Sequence, residues 1–426
     1  MTPLAPRAPK GAAAEVRLGA QRRIAPLDGV RGIAIALVVA YHTRYGGVIG
    51  GWLGVDLFFV LSGYLITGVL LREAQLHQRI SLRSFYWRRL LRLGPAAYAM
   101  LAAYALLVVS SVHGEERARR LKAAAAAATY TYDFFAAHVQ LVGLGHMWSL
   151  AIEEQFYLLW APIVAFLIAR RSPRRLVAGL ISLGITLSVV TTVTEIYRNA
   201  GWTRIAFSPD TRCAGLLLGC LAAVMASNTG EARSWLASVV PWVSIATVLA
   251  ALPFAAIDDP MSYSSWLPGV ELAAVALIVS VSKRRSSLAA RALSVRPLTW
   301  LGEVSYGLYL WHYVIMQSVF QRLGDSAATV AVAIGISLAI TWLSRRVIEE
   351  PFLRLKERGA AKRHDMALPS PDGEPGPQPP PGAAPARRPA TGLSGLYALF
   401  AFLGRRGFNR LQRRWLRSSC SPRRRP

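Results

Sequence analysis

Ten long apolar blocks constrain this chain more than any other feature of its sequence. Several approach the roughly 20 residues that an α-helix needs to cross a hydrocarbon core about 30 Å thick. Because the backbone finds no water partners there, such blocks fold as helices that satisfy their own hydrogen bonds. The sequence therefore predicts an all-α fold, a polytopic transmembrane helical bundle of about ten spans. The blocks lie at approximately 30–45, 51–71, 94–112, 147–169, 176–194, 210–227, 235–257, 265–282, 299–322 and 327–347.

The composition argues against a soluble protein of this size. Of the 426 residues, 53% are hydrophobic and only 17% are charged. A net charge of +26 would suggest a nucleic-acid partner in a soluble protein. Here the arginines cluster in short loops and in the C-terminal tail, which is typical of cytoplasmic loops in membrane proteins. We therefore expect a lipid bilayer as the partner and no nucleic acid.

The arginine distribution also orients the blocks. If the N-terminus is cytoplasmic, the even-numbered gaps between blocks are cytoplasmic too, and these gaps are the arginine-rich ones. The positive-inside rule then favours ten spans in the cell membrane with both termini in the cytoplasm. The basic residues of these gaps include Arg79, Arg83, Arg88, Arg89, Arg92, Arg170, Arg171, Arg174, Arg175, Lys283, Arg284, Arg285, Arg291 and Arg296.

One further apolar segment, residues 121–140, does not fit this alternation of cytoplasmic and outward gaps. An eleventh full span there would place one set of basic loops outside the cell, so we predict a non-spanning or re-entrant helix. The basic residues from Arg117 to Lys122 that precede it keep the full-span alternative open.

The two ends of the chain differ in composition from the apolar blocks. Residues 1–23 form a basic N-terminal segment, which we place in the cytoplasm, and residues 357–392 are a Pro/Gly/Ala-rich stretch typical of a disordered linker. Residues 393–426 join a short apolar stretch to a polybasic run. That pattern predicts an amphipathic helix on the anionic inner leaflet, and a solvated basic tail is the equal alternative.

Two ionisable residues bracket the first apolar block. Arg31 precedes the run Gly32–Tyr41, and His42 follows it. Ionisable groups at membrane depth are costly and usually face a cavity. At about 1.5 Å of helical rise per residue, the two lie about 16 Å apart along the axis. This arrangement indicates a site for an anionic, acyl-bearing cofactor that enters from one membrane face.

Several polar strings interrupt the apolar blocks, and their order and spacing carry a family resemblance. They lie at residues 27–42, 51–64, 85–95, 146–157, 210–212, 305–312 and 349–352. Taken together, they make the chain similar to the integral-membrane acyltransferase-3 family over roughly residues 21–356, and we assign residues 24–356 as its membrane acyltransferase domain. Ala214 and Val314 depart from the family pattern, which often has an acid and a proline there.

The resemblance implies an acyltransferase that moves an acyl group, commonly acetyl, from acyl-CoA to hydroxyls of a carbohydrate or glycosylated acceptor. It also implies that His42 acts as general base together with Arg31, and that Arg31 and the loop arginines Arg88, Arg89 and Arg92 bind the cofactor. Neutral imidazole can take the acceptor's proton near physiological pH. Arginine forks suit the coenzyme A phosphates. The alternatives are a structural histidine and ordinary positive-inside anchoring.

A second group of polar residues completes the predicted site. Glu153, near the outward start of the fourth span, is the third catalytic candidate: it could bind sugar hydroxyls or hold His42 in its useful tautomer. It could instead form an interfacial helix cap with Ser149. Asp56 needs a partner inside the membrane, and Arg31 and His42 are the candidates. The supporting residues are Asp56, Ser149, Glu154, Arg212 and His312, and no metal is expected.

Two other function classes remain open from the sequence. Buried Arg31, His42, Asp56 and Glu153 could form the polar pathway of a transporter or channel. The basic tail could instead anchor a non-catalytic partner of a surface-polymer assembly. Acyl transfer by the purified protein, with and without residues 360–426, separates these readings.

Overall fold

A computed structural model describes residues 24–43, 48–138, 143–226 and 236–354. These residues are mostly helical and contain no β-strand, which confirms the predicted all-α fold. The α-helices in chain order are α1 Ala25–Tyr41, α2 Gly54–His77, α3 Leu82–Ser111, α4 Gly114–Ala128, α5 Tyr132–His138, α6 Met147–Ala169, α7 Arg174–Tyr197, α8 Trp202–Phe207, α9 Pro209–Ala226, α10 Leu236–Ala251, α11 Leu267–Lys283, α12 Leu288–Leu293, α13 Arg296–Leu323 and α14 Ala327–Ser344. A 3-10 turn, Ile49–Leu53, precedes α2, and π-helical turns Ser262–Trp266 and Arg345–Glu349 adjoin α11 and α14.

Seven helices in the described part of the chain are long and apolar enough to cross a bilayer. They include α2, α3, α6, α7, α9, α11 and α14, some extended by a neighbouring short turn. The other three predicted blocks fall on α1, α10 and α13. Helices α1 and α10 have 17 and 16 residues, and α13 includes Arg296, Glu303 and Arg322. The protein is thus a multi-pass helical bundle. The number of spans reaches the predicted ten only if α1, α10 and α13 also cross the membrane.

The segment at 121–140 divides between two short helices in its described part. Helix α4 ends at Ala128, and α5 begins at Tyr132 after a turn in which Tyr130 has a φ of 52°. Neither helix has the length or composition of a span. This arrangement agrees with the prediction of a non-spanning helix.

Close helix crossings position the residues of the candidate site. Helix α1 packs along α13, and α2 packs along α9. A side chain at Gly302 would overlap the backbone carbonyl of Asp28, and one at Gly219 would overlap that of Val60. Small residues permit such approaches in membrane bundles, where packing contributes much of the association energy.

Hydrogen bonds between helices satisfy several polar side chains of the bundle. The indole of Trp160 donates to the Thr67 hydroxyl at 2.9 Å and ties α6 to α2. The Tyr306 hydroxyl donates to the Leu93 carbonyl at 2.8 Å and ties α13 to α3. Leu93 lies two residues before Pro95, a helix-interior proline of the kind membrane helices accommodate. These contacts bring α1, α2, α3, α6 and α13 around one cavity.

Some predictions fall on residues that the structure does not describe. They concern the N-terminal segment 1–23, the linker 357–392 and the tail 393–426. Cys213 and Cys220 are both free thiols.

Candidate active site

A cavity of about 180 Å³ opens between α1, α2, α3, α6 and α13. This volume is about ten times the space that one ordered water requires. Apolar side chains of α2, from Val55 to Val69, form much of its wall. Its polar lining consists of Arg31, Ser62, Arg89, Arg92, Ser149, Glu153, Tyr157, Ser305, Tyr306 and Tyr309. The cavity thus combines an apolar wall with a few converging polar groups, as small-molecule sites commonly do.

Three arginines face this cavity, and they differ in how they are held. Arg89 makes a bidentate ion pair with Glu154, at 2.7 to 3.1 Å, and its guanidinium lies 3.4 Å from the centre of the Tyr157 ring. Arg92 has no carboxylate within ion-pair distance among the described residues. The charges of Arg31 and Arg89 both act on the Arg92 guanidinium. Converging like charges in one cavity make a site that favours an anion.

The loop arginines Arg88, Arg89 and Arg92 do not all face the cavity in the structure. Arg89 and Arg92 line the cavity, and their binding of a cofactor stays a prediction. Arg88 is not among the described lining residues and instead pairs with Glu73 at 3.0 Å and bonds Ser84 at 2.7 Å. The structure therefore does not bring Arg88 to the cavity with Arg89 and Arg92, because the end of α2 supplies it with a carboxylate.

Glu153 and Glu154 are neighbours on α6, but their side chains bond to different partners. The Glu153 carboxylate accepts hydrogen bonds from the hydroxyls of Ser62 and Tyr157, the latter at 3.0 Å, and it lines the cavity. No described contact joins it to His42, whose Nδ1 instead faces the Val38 carbonyl and His312. The Glu154–Arg89 pair places Glu154 beside the cavity arginines, and Glu153 lines the same cavity.

Asp56 pairs with Arg212, which corrects the prediction of Arg31 or His42 as its partner. The Asp56 Oδ1 and Arg212 Nη2 atoms are 2.7 Å apart, and the two side chains are 0% and 1% exposed. Because α2 packs along α9, Asp56 faces Arg212, whereas Arg31 faces the cavity. Glu271 on α11 is also buried and acts electrostatically on both groups.

Aromatic rings enclose this buried pair. The Arg212 guanidinium lies 5.2 Å from the Trp52 ring centre, 5.5 Å from that of Trp148 and 5.7 Å from that of Tyr263. Such contacts stabilise a desolvated cation. Arg212 therefore joins α9 to α2 as a structural residue, away from the cavity.

Three histidines, His42, His146 and His312, form a histidine cluster beside the cavity. The His312 Nε2 atom lies 3.4 Å from His42 Nδ1, and the ring centres of His146 and His312 are 5.6 Å apart. His312 is fully buried, while His42 is partly exposed. The cluster is not arranged to hold a metal ion, and neither is any other group of described residues.

The hydrogen bonds of the cluster assign the tautomers of two rings. His312 Nδ1 lies 3.0 and 2.8 Å from the carbonyl oxygens of Leu308 and Tyr309, so it carries a proton. In neutral His312, Nε2 is then an acceptor. His42 Nδ1 faces this acceptor and the Val38 carbonyl at 2.8 Å, so it is the protonated nitrogen of His42. This leaves Nε2 of His42 able to accept a proton.

Two hydroxyl side chains separate the histidine cluster from the cavity. Ser149 and Tyr309 line the cavity and are hydrogen-bonded to each other. The Tyr309 hydroxyl also donates to the His146 carbonyl at 2.6 Å, and its ring centre is 5.7 Å from that of His312. Arg31 lines the cavity directly, whereas His42 is not one of the described residues that line it.

Sequence reasoning missed His146, Tyr157 and Tyr309 as site residues. All three lie in the polar strings that carry the family resemblance, 146–157 and 305–312. Nothing local distinguishes them from interfacial aromatics, because their contacts join residues from distant parts of the chain.

Comparison with known proteins decides the family. The Acyltransferase domain family matches residues 24–346. The chain belongs to this family. It is 32% identical to the peptidoglycan O-acetyltransferase OatA of Listeria monocytogenes, over 78% of this chain and 56% of the relative. It is 34% identical to the O-acetyltransferase OatA of Staphylococcus aureus, over 78% of this chain and 57% of the relative.

The chain thus spans a little over half the length of these relatives. No solved structure matches it. The family match covers every helix that lines the cavity and all three members of the histidine cluster. The protein is accordingly a multi-pass membrane protein of an acyltransferase family.

Proposed function

We propose that this protein is a membrane O-acyltransferase that moves an acetyl group from acetyl-CoA to a hydroxyl of a carbohydrate acceptor. The family and the names of its relatives support an O-acetyltransferase with a cell-wall glycan as acceptor. The observation that carries the proposal is a cavity with converging arginines whose lining residue Tyr309 contacts His312, which in turn contacts His42.

The donor site in this proposal is the arginine-lined end of the cavity. Coenzyme A carries several phosphates, and arginine binds phosphate through paired, charge-assisted hydrogen bonds. Arg92 and Arg31 supply these contacts, while Arg89 keeps its pair with Glu154 and contributes charge. The apolar α2 wall then accommodates the pantetheine arm and the acyl chain.

In the proposed reaction, the donor reaches from the arginine-lined cavity to the histidine cluster. Arg31 and His42 are about 16 Å apart along α1 at 1.5 Å per residue. The extended pantetheine arm bridges this distance and presents its thioester to His42. The acceptor oxygen then bonds to the acyl carbon, the carbon–sulfur bond breaks, and His42 Nε2 passes the acceptor's proton to the leaving thiolate.

The proposed orientation puts the arginine-lined end in the cytoplasm, where acetyl-CoA is made available, and both termini on the same side. The short basic loops support this orientation through the positive-inside rule. The histidine cluster then lies toward the outer face of the cell membrane, which suits an acceptor in the cell wall.

The test uses full-length protein in liposomes with acetyl-CoA labelled in its acetyl group. Soluble glycan strands from unacetylated peptidoglycan serve as the acceptor, and mass spectrometry follows their gain of acetyl groups. Acetyl-pantetheine, which lacks the nucleotide phosphates, serves as the matched donor.

We expect transfer from acetyl-CoA and much poorer use of acetyl-pantetheine. Equal use of both donors would contradict phosphate recognition by the arginines. Absence of transfer from either thioester would contradict the thioester donor.

A further inference from the structure

His146 carries a buried polar group that the reaction above does not use. The residue is 3% exposed, and neither its Nδ1 nor its Nε2 atom makes a hydrogen bond of standard geometry to the described residues, although the Leu310 backbone lies close enough to act on the ring. A buried N–H without a partner costs free energy, and inside a membrane protein no bulk water offsets that cost. Such a ring indicates a bound group that satisfies it.

The surroundings of His146 define a small polar site. The ring centre of Tyr313 lies 4.9 Å from that of His146 and 5.0 Å from that of His42. His312 contacts both histidines, with ring centres at 5.6 and 5.1 Å. Gly145 leaves room for the Tyr313 hydroxyl, since a Cβ there would lie 2.8 Å from it. The site therefore lies between rings that carry proton donors and acceptors.

This site is separate from the cationic cavity. None of the three histidines is among the described residues that line the cavity, and Tyr309 stands between the two. Among the three histidines, His146 and His312 are buried, and only His42 retains some solvent exposure.

We propose that the histidine cluster, together with Tyr313, binds the acceptor hydroxyl. A neutral imidazole has one N–H and one acceptor nitrogen. The N–H of His146 donates to the hydroxyl oxygen, and Nε2 of His42 accepts the hydroxyl proton. This inference rests on the proposed function and deepens it, because it gives the acceptor its own site.

The transfer step balances with these residues alone. The acceptor oxygen forms a bond to the acyl carbon as the carbon–sulfur bond breaks. The hydroxyl proton moves to His42 Nε2 and then to the thiolate sulfur, which leaves as a thiol. His146 stays neutral and keeps its hydrogen bond to the oxygen that becomes the ester oxygen.

Two substitutions at one position and one control test the inference. His146→Phe retains a ring against Tyr309 and Tyr313 but removes both nitrogens, whereas His146→Gln retains an N–H donor. His113→Phe makes the first change at an exposed histidine outside the site. The measurements are the KM for glycan strands, equilibrium binding of coenzyme A and the Tm of ligand-free protein.

We expect His146→Phe to raise the KM for glycan strands about tenfold, the loss that one hydrogen bond of ordinary strength brings. His146→Gln keeps a donor and should stay within about threefold of the wild type. Coenzyme A binding should be the same in all variants, because the arginine-lined cavity is unchanged.

The Tm gives a readout that does not depend on activity. If the His146 nitrogens do not stabilise the fold, His146→Phe should have a Tm equal to or above that of the wild type. The variant no longer buries a polar group without a hydrogen-bond partner. A Tm clearly lower than that of His113→Phe would show that the nitrogens hold the fold, and would overturn the inference.

The remaining outcomes separate the two proposals. An unchanged glycan KM in His146→Phe, in a protein that still transfers acetyl, overturns the acceptor site and leaves the proposed function standing. A wild-type protein that consumes acetyl-CoA but transfers acetyl to no glycan overturns the carbohydrate acceptor, and with it this site.

Discussion

The buried Asp56–Arg212 ion pair gives the sharpest prediction about the fold. Asp56→Asn removes the carboxylate that lies 2.7 Å from a guanidinium only 1% exposed. Breaking a buried pair on one side costs about 3 to 5 kcal/mol, because an uncompensated charge stays in the interior. Glu271 acts on the same guanidinium and offsets part of the loss. We therefore expect about 3 kcal/mol of destabilisation, at the lower end of that range.

The assay is a reversible denaturant titration of the full-length protein in detergent micelles. Glu116→Gln is the matched control: it removes a carboxylate that bridges Arg119 and Arg120 near the surface, and should cost below about 1 kcal/mol. The double variant Asp56→Asn/Arg212→Gln should recover much of the lost stability, because it removes the unpaired cation. An Asp56→Asn protein no less stable than the Glu116→Gln control would refute the reasoning.

Three further predictions concern the site. Arg92→Gln should weaken coenzyme A binding about tenfold, the value of one charge-assisted contact. Arg88→Gln, outside the cavity, should leave the Kd within about twofold. Equal effects of the two substitutions in an isothermal titration would contradict the placement of Arg92, but not Arg88, in the binding cavity. Arg31→Lys should lower the affinity as well, since an ammonium cannot form the paired contact; an unchanged Kd argues against a bidentate contact. His312→Phe removes the acceptor that faces His42 Nδ1 and should lower kcat without changing coenzyme A binding; an unchanged kcat would show that Val38 alone fixes the tautomer.

The sequence predicted the helical fold and the grouping of Arg31 with Arg89 and Arg92, and physical reasons explain that success. Apolar blocks of this length have few folds other than membrane helices. The positive-inside rule collects the loop arginines at one end of the bundle, which is also the end where α1 begins. Local patterns and charge parity suffice for both conclusions.

The partners of Asp56, Arg88 and Glu153 could not be predicted in the same way. Asp56 and Arg212 are 156 positions apart, and their pairing depends on which face α2 presents to α9. Helical periodicity places Arg88 within about 40° of Arg92, so only the position of Glu73 at the end of α2 separates them. These contacts follow from packing between distant helices.

The contacts of the histidine cluster also could not be predicted from the local sequence. His42 and His312 were both singled out in the sequence, yet their contact spans 270 positions and places an acceptor nitrogen opposite His42 Nδ1. His146 has no local signal that separates it from a helix-cap residue. Its significance comes from burial without a partner, which only three-dimensional packing reveals.

The most direct test of the account is a single-turnover measurement on the full-length protein in liposomes. Wild-type protein and His42→Ala are loaded to equal occupancy with labelled acetyl-CoA, then mixed with glycan strands. We predict equal donor binding and a rate of acetyl transfer lower by a factor of about 10² to 10⁴ in the variant, the contribution of a general base. Transfer at the wild-type rate by His42→Ala would contradict the central claim that this imidazole takes the acceptor's proton.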